Sequence, residues 1–371
     1  MRKRIGKIIG VFFFVLFCVI LIQVVRFSPL LYQYFFTKGI ALKTTNDRIN
    51  ILLLGIGGGN HEGPNLTDSI IFASINPAKN TVKLISIPRD LWVTELNTKI
   101  NAAYATGEEK QKGGGILLSK ATIQKILGQP IDYSVRIDFD GFVKAVDLVG
   151  GLDVNVERTL DDYAYPIEGK EEDACGRNED EIKDFSAQLA TGSATELDSF
   201  PCRYKHLHVP KGKNHMNGKT ALEYVRSRHA LGAEGSDFAR SKRQAKVLSA
   251  FKQKVLSYET LLNPVKVISL YNAVRENIDT DIPESSFDDF LKLAQKMKGA
   301  KVSSVVIDEG EISENREGLL VHPTDSGPYM GWVLIPKAGN GVYSQIQLFV
   351  SCELSVKLCS PITVTPSLQY K

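Results

Sequence analysis

The chain has 371 residues, 43% hydrophobic and 23% charged, a globular composition with ample material for a core and room for one large domain or two ordinary ones. Its formal net charge is +3, too small to argue for a nucleic-acid partner, so any functional positive charge has to be local.

The N-terminus places Arg2, Lys3, Arg4 and Lys7 before an apolar run from Ile8 to Val25 that is broken by Gly10 and Gln23. Its 18 residues lie near the lower limit for a membrane span, and the flanking cations predict the N-terminus (1–7) in the cytoplasm with everything after the span outside. A cleaved signal peptide would show a shorter apolar core and a small-x-small site. The sequence continues VVRFSPLLYQYFF instead, which favours an uncleaved signal anchor (8–25), a juxtamembrane linker (26–47) and an extracytoplasmic domain (48–371). Of five cysteines, Cys18 lies in the span, and the others suggest the disulfides Cys175–Cys202 and Cys352–Cys359, stable outside the cytoplasm. No CxxC spacing or clustered histidines support a zinc site as the rival reading.

Strand-length apolar runs then alternate with helical stretches. INILLLG, DSIIFASIN (Asp68 to Asn76) and TVKLISI (Thr81 to Ile87) are predicted strands, the last two joined by a turn at Pro77 to Asn80. Ile116 to Leu127 has helical spacing and a glycine stop at Gly128. IDYSVRID predicts a strand, FVKAVDLVGG a short helix and LDVNVE another strand. A polar, turn-rich segment (about 161–210) is expected to be an insertion. Helices at Asn217 to Ser227 and Asp237 to Leu256 follow, then a strand from Val302 to Asp308 and a C-terminal extension (about 300–371). Buried strands interleaved with helices predict an α/β fold on a mixed sheet.

Four segments carry candidate chemistry. GIGGGNHEGPNLTD is glycine-rich like a phosphate cradle, but it lacks the GK[ST] ending and is followed by a strand rather than a helix. Its Asp68 is either a metal-binding carboxylate or a turn residue. SIPRD puts Arg89 and Asp90 at the carboxyl end of a strand, where ligands bind in open α/β sheets. An extended chain there would send the two side chains to opposite sides and weaken a purely local ion pair. Arg136 and Asp138 share one strand face and suit a structural salt bridge. Glu223 to Leu248 holds Arg226, Arg228, Arg240 and Arg243 with Asp237 among them. On the second helix Asp237, Arg240, Arg243 and Gln244 fall on one stripe. Converging guanidiniums repel one another unless an anion joins them, and their planar forks match phosphate oxygens, so a diphosphate is the natural guest. Nucleic acid is disfavoured by the compartment and by the absence of interleaved aromatics.

NILLLG, LTDSI, LISIPRDLWV, KINAAYATG, IDYSVRIDFDGFVKAVDLVGGLDVNV, MNGKTALEYVRSRH and DFARSKRQ together, in this order, resemble the LytR–CpsA–Psr family of membrane-anchored cell-envelope enzymes. The resemblance implies a three-layer α/β/α sandwich with a central mixed sheet. It also implies a polyprenyl pyrophosphate substrate with its tail in an apolar groove and its diphosphate on arginines and Mg²⁺. The expected reaction transfers a phospho-glycan from that carrier to an acceptor hydroxyl, usually on peptidoglycan, and releases polyprenyl phosphate. By motif, Arg89, Arg226, Arg228, Arg240, Arg243 and Gln244 would form the pyrophosphate site, Arg243 and Asp237 orienting the other arginines, with Arg89, Arg228, Arg240 and Asp237 the catalytic set. Asp68 would hold Mg²⁺. The family's second metal-site aspartate, in a GxD pattern after the first strand, is replaced here by the GIGGG glycines around Gly57, and His61 or Glu62 are possible substitute ligands. That departure keeps two other readings open: a non-catalytic polyprenyl-pyrophosphate binder or regulator, and a pyrophosphatase.

Overall fold

β1 (Ile49–Ile56) is apolar on both faces, so both must be covered. It lies at the centre of a six-stranded mixed sheet with β2 (Thr67–Asn76), β3 (Thr81–Ile87), β4 (Tyr133–Asp138), β9 (Ile278–Thr280) and β10 (Lys301–Val306), in the order β9-β4-β1-β2-β3-β10. The β1–β4 and β3–β10 pairings are parallel; the β1–β2, β2–β3 and β4–β9 pairings are antiparallel. It follows that β1, β3, β4 and β10 point their carboxyl ends to one edge, where the candidate residues gather. In this computed structural model the described residues are 39–59, 63–255, 257, 269, 278–311, 316–324, 327, 329 and 331–355. The expected span (8–25), His61, Glu62 and Cys359 lie outside them. Among the described residues no helix is long and apolar enough to cross a membrane.

The two sheet faces are covered differently. On one, Leu52, Leu54, Phe72, Ile85 and Ile87 join a continuous core with α2 (Gly114–Leu127) and α8 (Ser344–Leu354), through Ile123, Ile126, Ile346 and Val350. α2 ends at left-handed Gly128 (φ 63°), as the sequence predicts. On the other face, Ile49, Tyr133 and Leu42 pack under α7 (Phe287–Lys296) through Leu293 and Met297. Nearer the carboxyl edge, Leu53, Ile71 and Val135 on that face are half-buried rather than sealed.

A third cluster unites α3 (Phe139–Leu148), α5 (Gly218–Arg226), α6 (Asp237–Val255) and the strands β5 (Leu152–Val156), β6 (Leu160–Pro166), β7 (Tyr204–Val209) and β8 (Gly212–Met216). The polar segment from about residue 161 to 210 therefore contributes to a core: its Tyr165, Leu207 and Val209 are buried beside Leu160. β6 pairs antiparallel with β7, and β5 with β8. The segment also holds α4 (Glu179–Thr191) and the expected disulfide Cys175–Cys202. Cys352 is disulfide-bonded as well. The short helix α1 (Ala103–Lys110), in KINAAYATG, completes the described helices that position the site.

Candidate anion-binding site

The site starts with two neighbouring strands. β2 begins at Thr67, whose Oγ1 donates to the Asn101 carbonyl at 3.1 Å and so fixes where Asp68 emerges. Beyond the end of β3 the chain turns at Pro88, with Leu91 N–H donating back to the Pro88 carbonyl at 3.2 Å. Arg89 Nη1 donates to Asp68 Oδ1 across the strands at 2.7 Å. Arg89 Nε lies 3.4 Å from Asp90 Oδ2, near enough for an ion pair but without an aligned hydrogen bond. The turn explains why Arg89 and Asp90 can meet: they are not in the extended chain that would separate them. Asp90 is held on its other side by Lys99 Nζ at 2.9 Å.

KINAAYATG is the clamp for this turn. Ile100 N–H donates to the Leu91 carbonyl at 2.7 Å and Asn101 N–H to the Arg89 carbonyl at 3.2 Å. Tyr104, buried at the head of α1, donates to Asp279 Oδ2 at 2.9 Å and accepts from Arg136 Nε at 3.3 Å. Burial, with the Asp279 carboxylate adding to it, pushes the Tyr104 hydroxyl up to about 12, so it is a neutral donor at any physiological pH. Arg136 also pairs with Asp138 at 3.3 Å, and Asp138 caps α3 by accepting from Gly141 N–H at 2.7 Å. Both residues have the structural role their spacing suggests.

α6 brings the third side. Gly218 begins α5 with no side chain because a Cβ there would stand 2.3 Å from the Val143 carbonyl of α3; its N–H donates to Asp147 Oδ1 at 2.7 Å. That close seat fixes α5, and the turn after it leads into α6. Arg240 and Gln244 then face the strand ends, and Gln244 Nε2 donates to Ser69 Oγ at 3.1 Å. Asp68, Arg89, Arg240 and Gln244 line one cavity of about 190 Å³ together with Ser236, Ser241 and the loop Ile307–Gly310. The loop's two carboxylates, Asp308 and Glu309, were missed from the sequence. Their signal was available, because Asp308 ends and Glu309 follows the strand predicted from Val302 to Asp308, which pairs parallel with the strand that leads to Arg89.

The remaining arginines divide. Arg243 does not belong to the anion site. It is 2% exposed, and its guanidinium donates to the carbonyls of Tyr224 (2.9 Å), Ser227 (2.7 Å) and Glu234 (2.7 Å) and to the Glu234 carboxylate (3.1 Å). Burial pulls it below its ordinary value while the Glu234 charge opposes that. The predicted stripe failed here because positions three and four after Arg240 diverge by a full residue's rotation, about 100°; Gln244 takes the cavity side and Arg243 the core side. Arg226 stacks over the Phe139 ring at 4.0 Å. Neither Arg226 nor Arg228 is among the described residues lining the cavity. Asp237 opens α6, and its side chain lies outside those described.

The arginine turn has an anchor that sequence reasoning passed over. Asp162 on β6 is 0% exposed, and its Oδ2 accepts from Ser227 Oγ (2.7 Å) and His229 N–H (3.2 Å), the two residues flanking Arg228. Its Oδ1 accepts from Ala164 N–H at 3.0 Å. Next to it, Leu231 N–H donates to the Asp161 carbonyl at 2.8 Å.

The sequence matches the LytR_cpsA_psr family over residues 34–323. The chain belongs to the LytR–CpsA–Psr family. Among its relatives is TagU of Bacillus cereus, named polyisoprenyl-teichoic acid–peptidoglycan teichoic acid transferase, 30% identical over 253 residues, which are 67% of this chain and 64% of TagU. The chain spans just under two thirds of the length of these curated relatives. The crystal structure of TagV of Bacillus subtilis superposes with a TM-score of 0.53 at 25% identity, covering 84% of this chain and 98% of TagV. TagT bound to LIIa-WTA shares the fold at a TM-score of 0.50 and 20% identity, covering 85% of this chain and 94% of TagT.

Proposed function

We propose that this protein is a glycopolymer phosphotransferase that binds a polyprenyl-pyrophosphate-linked glycan and passes the phospho-glycan to an acceptor hydroxyl of the cell wall. The observation that carries the reading is the meeting of Arg89, Arg240 and Gln244, from sequence-distant segments, with Asp68 in one cavity at the carboxyl ends of parallel strands. Leu53, Ile71 and Val135, half-buried on the adjoining sheet face, are the apolar residues we assign to the prenyl tail. The names of the TagU relatives and the WTA ligand of the TagT structure support the same substrate class.

In this reading the acceptor oxygen attacks the glycan-bearing phosphorus in line. A P–O bond forms to the acceptor, the bond to the bridging oxygen breaks, the acceptor loses its proton and polyprenyl phosphate leaves. Such a transition state asks for positioning and charge neutralisation rather than covalent help. Arg89 and Arg240 provide the charge, and Gln244 an amide donor.

Mg²⁺ fits Asp68, and Asp308 and Glu309 bring two further carboxylates to the same cavity. The ion commonly takes one or two carboxylates together with substrate phosphate oxygens and water. Asp68, with its side chain 35% exposed at the cavity, suits that role. The glycines at Gly57 and Gly58 remove the family's second carboxylate. Gly58 (φ +69°) lies so close to Asp138 that a Cβ would stand 2.7 Å from its side chain, but Asp138 is committed to Gly141 and Arg136. When bound, the ion would add positive charge on the diphosphate oxygens. We also propose that the domain stands outside the cytoplasmic membrane, anchored by 8–25, as the Cys175–Cys202 disulfide supports.

The test is transfer by the full chain from a synthetic prenyl-pyrophosphate glycan to peptidoglycan, with Mg²⁺ varied. Conjugate and polyprenyl phosphate in equal amounts are expected, with Asp68→Asn raising the Mg²⁺ requirement. Tight substrate binding without turnover at any Mg²⁺ concentration would replace this reading with a regulator. Free phosphorylated glycan without conjugate would replace it with a pyrophosphatase.

A further inference from the structure

The outward face of the β6–β7 hairpin carries a cluster unrelated to the cavity. In YKHLHV, alternate residues take opposite faces: Leu207 and Val209 are buried, while His206 and His208 point outward. Asp161 on β6 lies directly across from His208 in the register. His206 Nε2 and His208 Nδ1 both reach Asp161 Oδ1, at 2.8 and 2.7 Å. Tyr163 stacks flat on the His206 ring at 4.0 Å and fixes its plane. The His206-x-His208 spacing stands in the sequence, but the strand pairing is what brings Asp161 to it.

We propose that Asp161, His206 and His208 form a binding site for a divalent transition metal of the zinc class. Two imidazole nitrogens and one carboxylate oxygen are the donors such ions select over Mg²⁺ or Ca²⁺. The three ligand atoms lie within 4.8 Å of one another. Zinc–nitrogen bonds of about 2.0–2.1 Å in a tetrahedral site separate the ligand atoms by about 3.3 Å, so each histidine nitrogen moves about half an ångström away from Asp161 Oδ1 to admit the ion. Two of its ligands share one strand and the third is their cross-strand neighbour, so the hairpin pre-sets the site. The hairpin's exposed side leaves the fourth position to water. A second cluster of this kind among the described residues, Asp173 with Cys175 and Cys202, offers no thiolate because its cysteines are bonded to each other.

The position gives the ion a consequence. Asp161 and Asp162 are adjacent: the first turns outward to the histidines, the second inward to Ser227 and His229 on either side of Arg228. The Asp161 carbonyl also takes the Leu231 N–H. An ion that ties β6 to β7 therefore steadies the strand that holds the arginine turn, making the site a positioning device rather than a reaction centre.

The experiment titrates Zn²⁺ into the full chain, prepared without a polyhistidine tag, by calorimetry, with Co²⁺ absorption reporting the ligand type. One equivalent should bind, with Co²⁺ bands of nitrogen and oxygen ligands and no thiolate charge transfer. His206→Ala or His208→Ala should each weaken binding ~10-fold or more, since losing a ligand costs at least what losing its outer-shell partner does. Both side chains are on the exposed face, so circular dichroism of the variants should match the parent. Absence of saturable binding in the parent overturns the site. So does unchanged affinity in the double variant, which would move the ion to His215 with Asp153 or to Cys18. Amide exchange at His229 and Leu231 should slow with Zn²⁺ in the parent alone; binding without that slowing overturns the link to the arginine turn.

Discussion

Arg240 faces the cavity beside Arg89 and Gln244, while Arg243, one turn further along the same helix, is 2% exposed and donates to three backbone carbonyls and Glu234. The two residues look alike in DFARSKRQ, yet one is placed to meet a ligand and the other to tie α6 to α5 and the turn between them. A basic cluster is thus two structures: a cavity wall, proposed above to meet an anion, and the buried frame that aims it. Charge alone does not separate them; what does is where each guanidinium sits, one in the cavity wall and the other sealed against backbone carbonyls.

The largest expected effect tests the frame. Arg243→Ala removes a buried cation that four acceptor groups depend on, which should cost ~3–5 kcal/mol of stability by chemical denaturation. Arg243→Lys should recover little of it, because a point charge cannot reach the carbonyls of Tyr224 and Ser227 together. A loss under about 1 kcal/mol for the alanine variant would place Arg243 outside the frame.

Arg240→Ala tests the other half. Stability should change by ~1 kcal/mol or less, as for a partly exposed charge, while transfer should fall ~10²–10³-fold, the loss typical of one donor to a developing anion. Near-normal transfer would move the anion site away from this cavity. An unfolding cost equal to that of Arg243→Ala would erase the distinction between the two residues.

Asp162→Asn lies between the two regions. It keeps the shape but weakens two acceptor bonds to the turn, for an expected cost of ~1–3 kcal/mol. Because those bonds hold the turn that leads into α6, which carries Arg240 and Gln244, transfer should fall more than stability at 25 °C explains. The check is kcat and KM measured where the variant is fully folded; unchanged values would make Asp162 purely a fold residue.

The sequence made the sheet legible because β1, β2 and β3 are short apolar runs punctuated by Pro77 to Asn80 and by SIPRD. Most of the cavity was legible too, since Asp68, Arg89, Arg240 and Gln244 sit in motifs. What stayed hidden depends on partners far along the chain. Asp162 stands in a polar stretch that reads as solvent-exposed, and it is buried because Ser227, 65 residues later, covers it. Asp161 meets His206 and His208 through a strand pairing whose two halves are separated by a disulfide-bonded excursion. Arg243 was misplaced for a local reason, the uncertainty of one residue in which side of a helix faces the core.

The smallest expected effect concerns the well-sealed sheet face, which binds nothing in this scheme. Tyr343, at the start of α8, has a buried hydroxyl that finds no hydrogen-bond partner among the described residues, and burial raises it from 10.0 to about 12. Tyr343→Phe should leave stability at pH 7 unchanged or raise it by ~1 kcal/mol, since an unpaired buried hydroxyl is costly. The pH dependence adds a sign. The folded tyrosine keeps its proton up to about pH 12, whereas the unfolded one releases it near pH 10, so the stability present below pH 10 is lost as pH climbs between those values. Phenylalanine has no proton to lose, and thermal midpoints measured at pH 7, 9 and 11 should fall less steeply in the variant. The change is partial, because Tyr104, Tyr165 and Tyr224 are raised to about 12 as well and keep their share of the alkaline slope. Parallel slopes for parent and variant would show that the Tyr343 hydroxyl reaches water, and with it that this face of the sheet is less completely sealed than the one across from it.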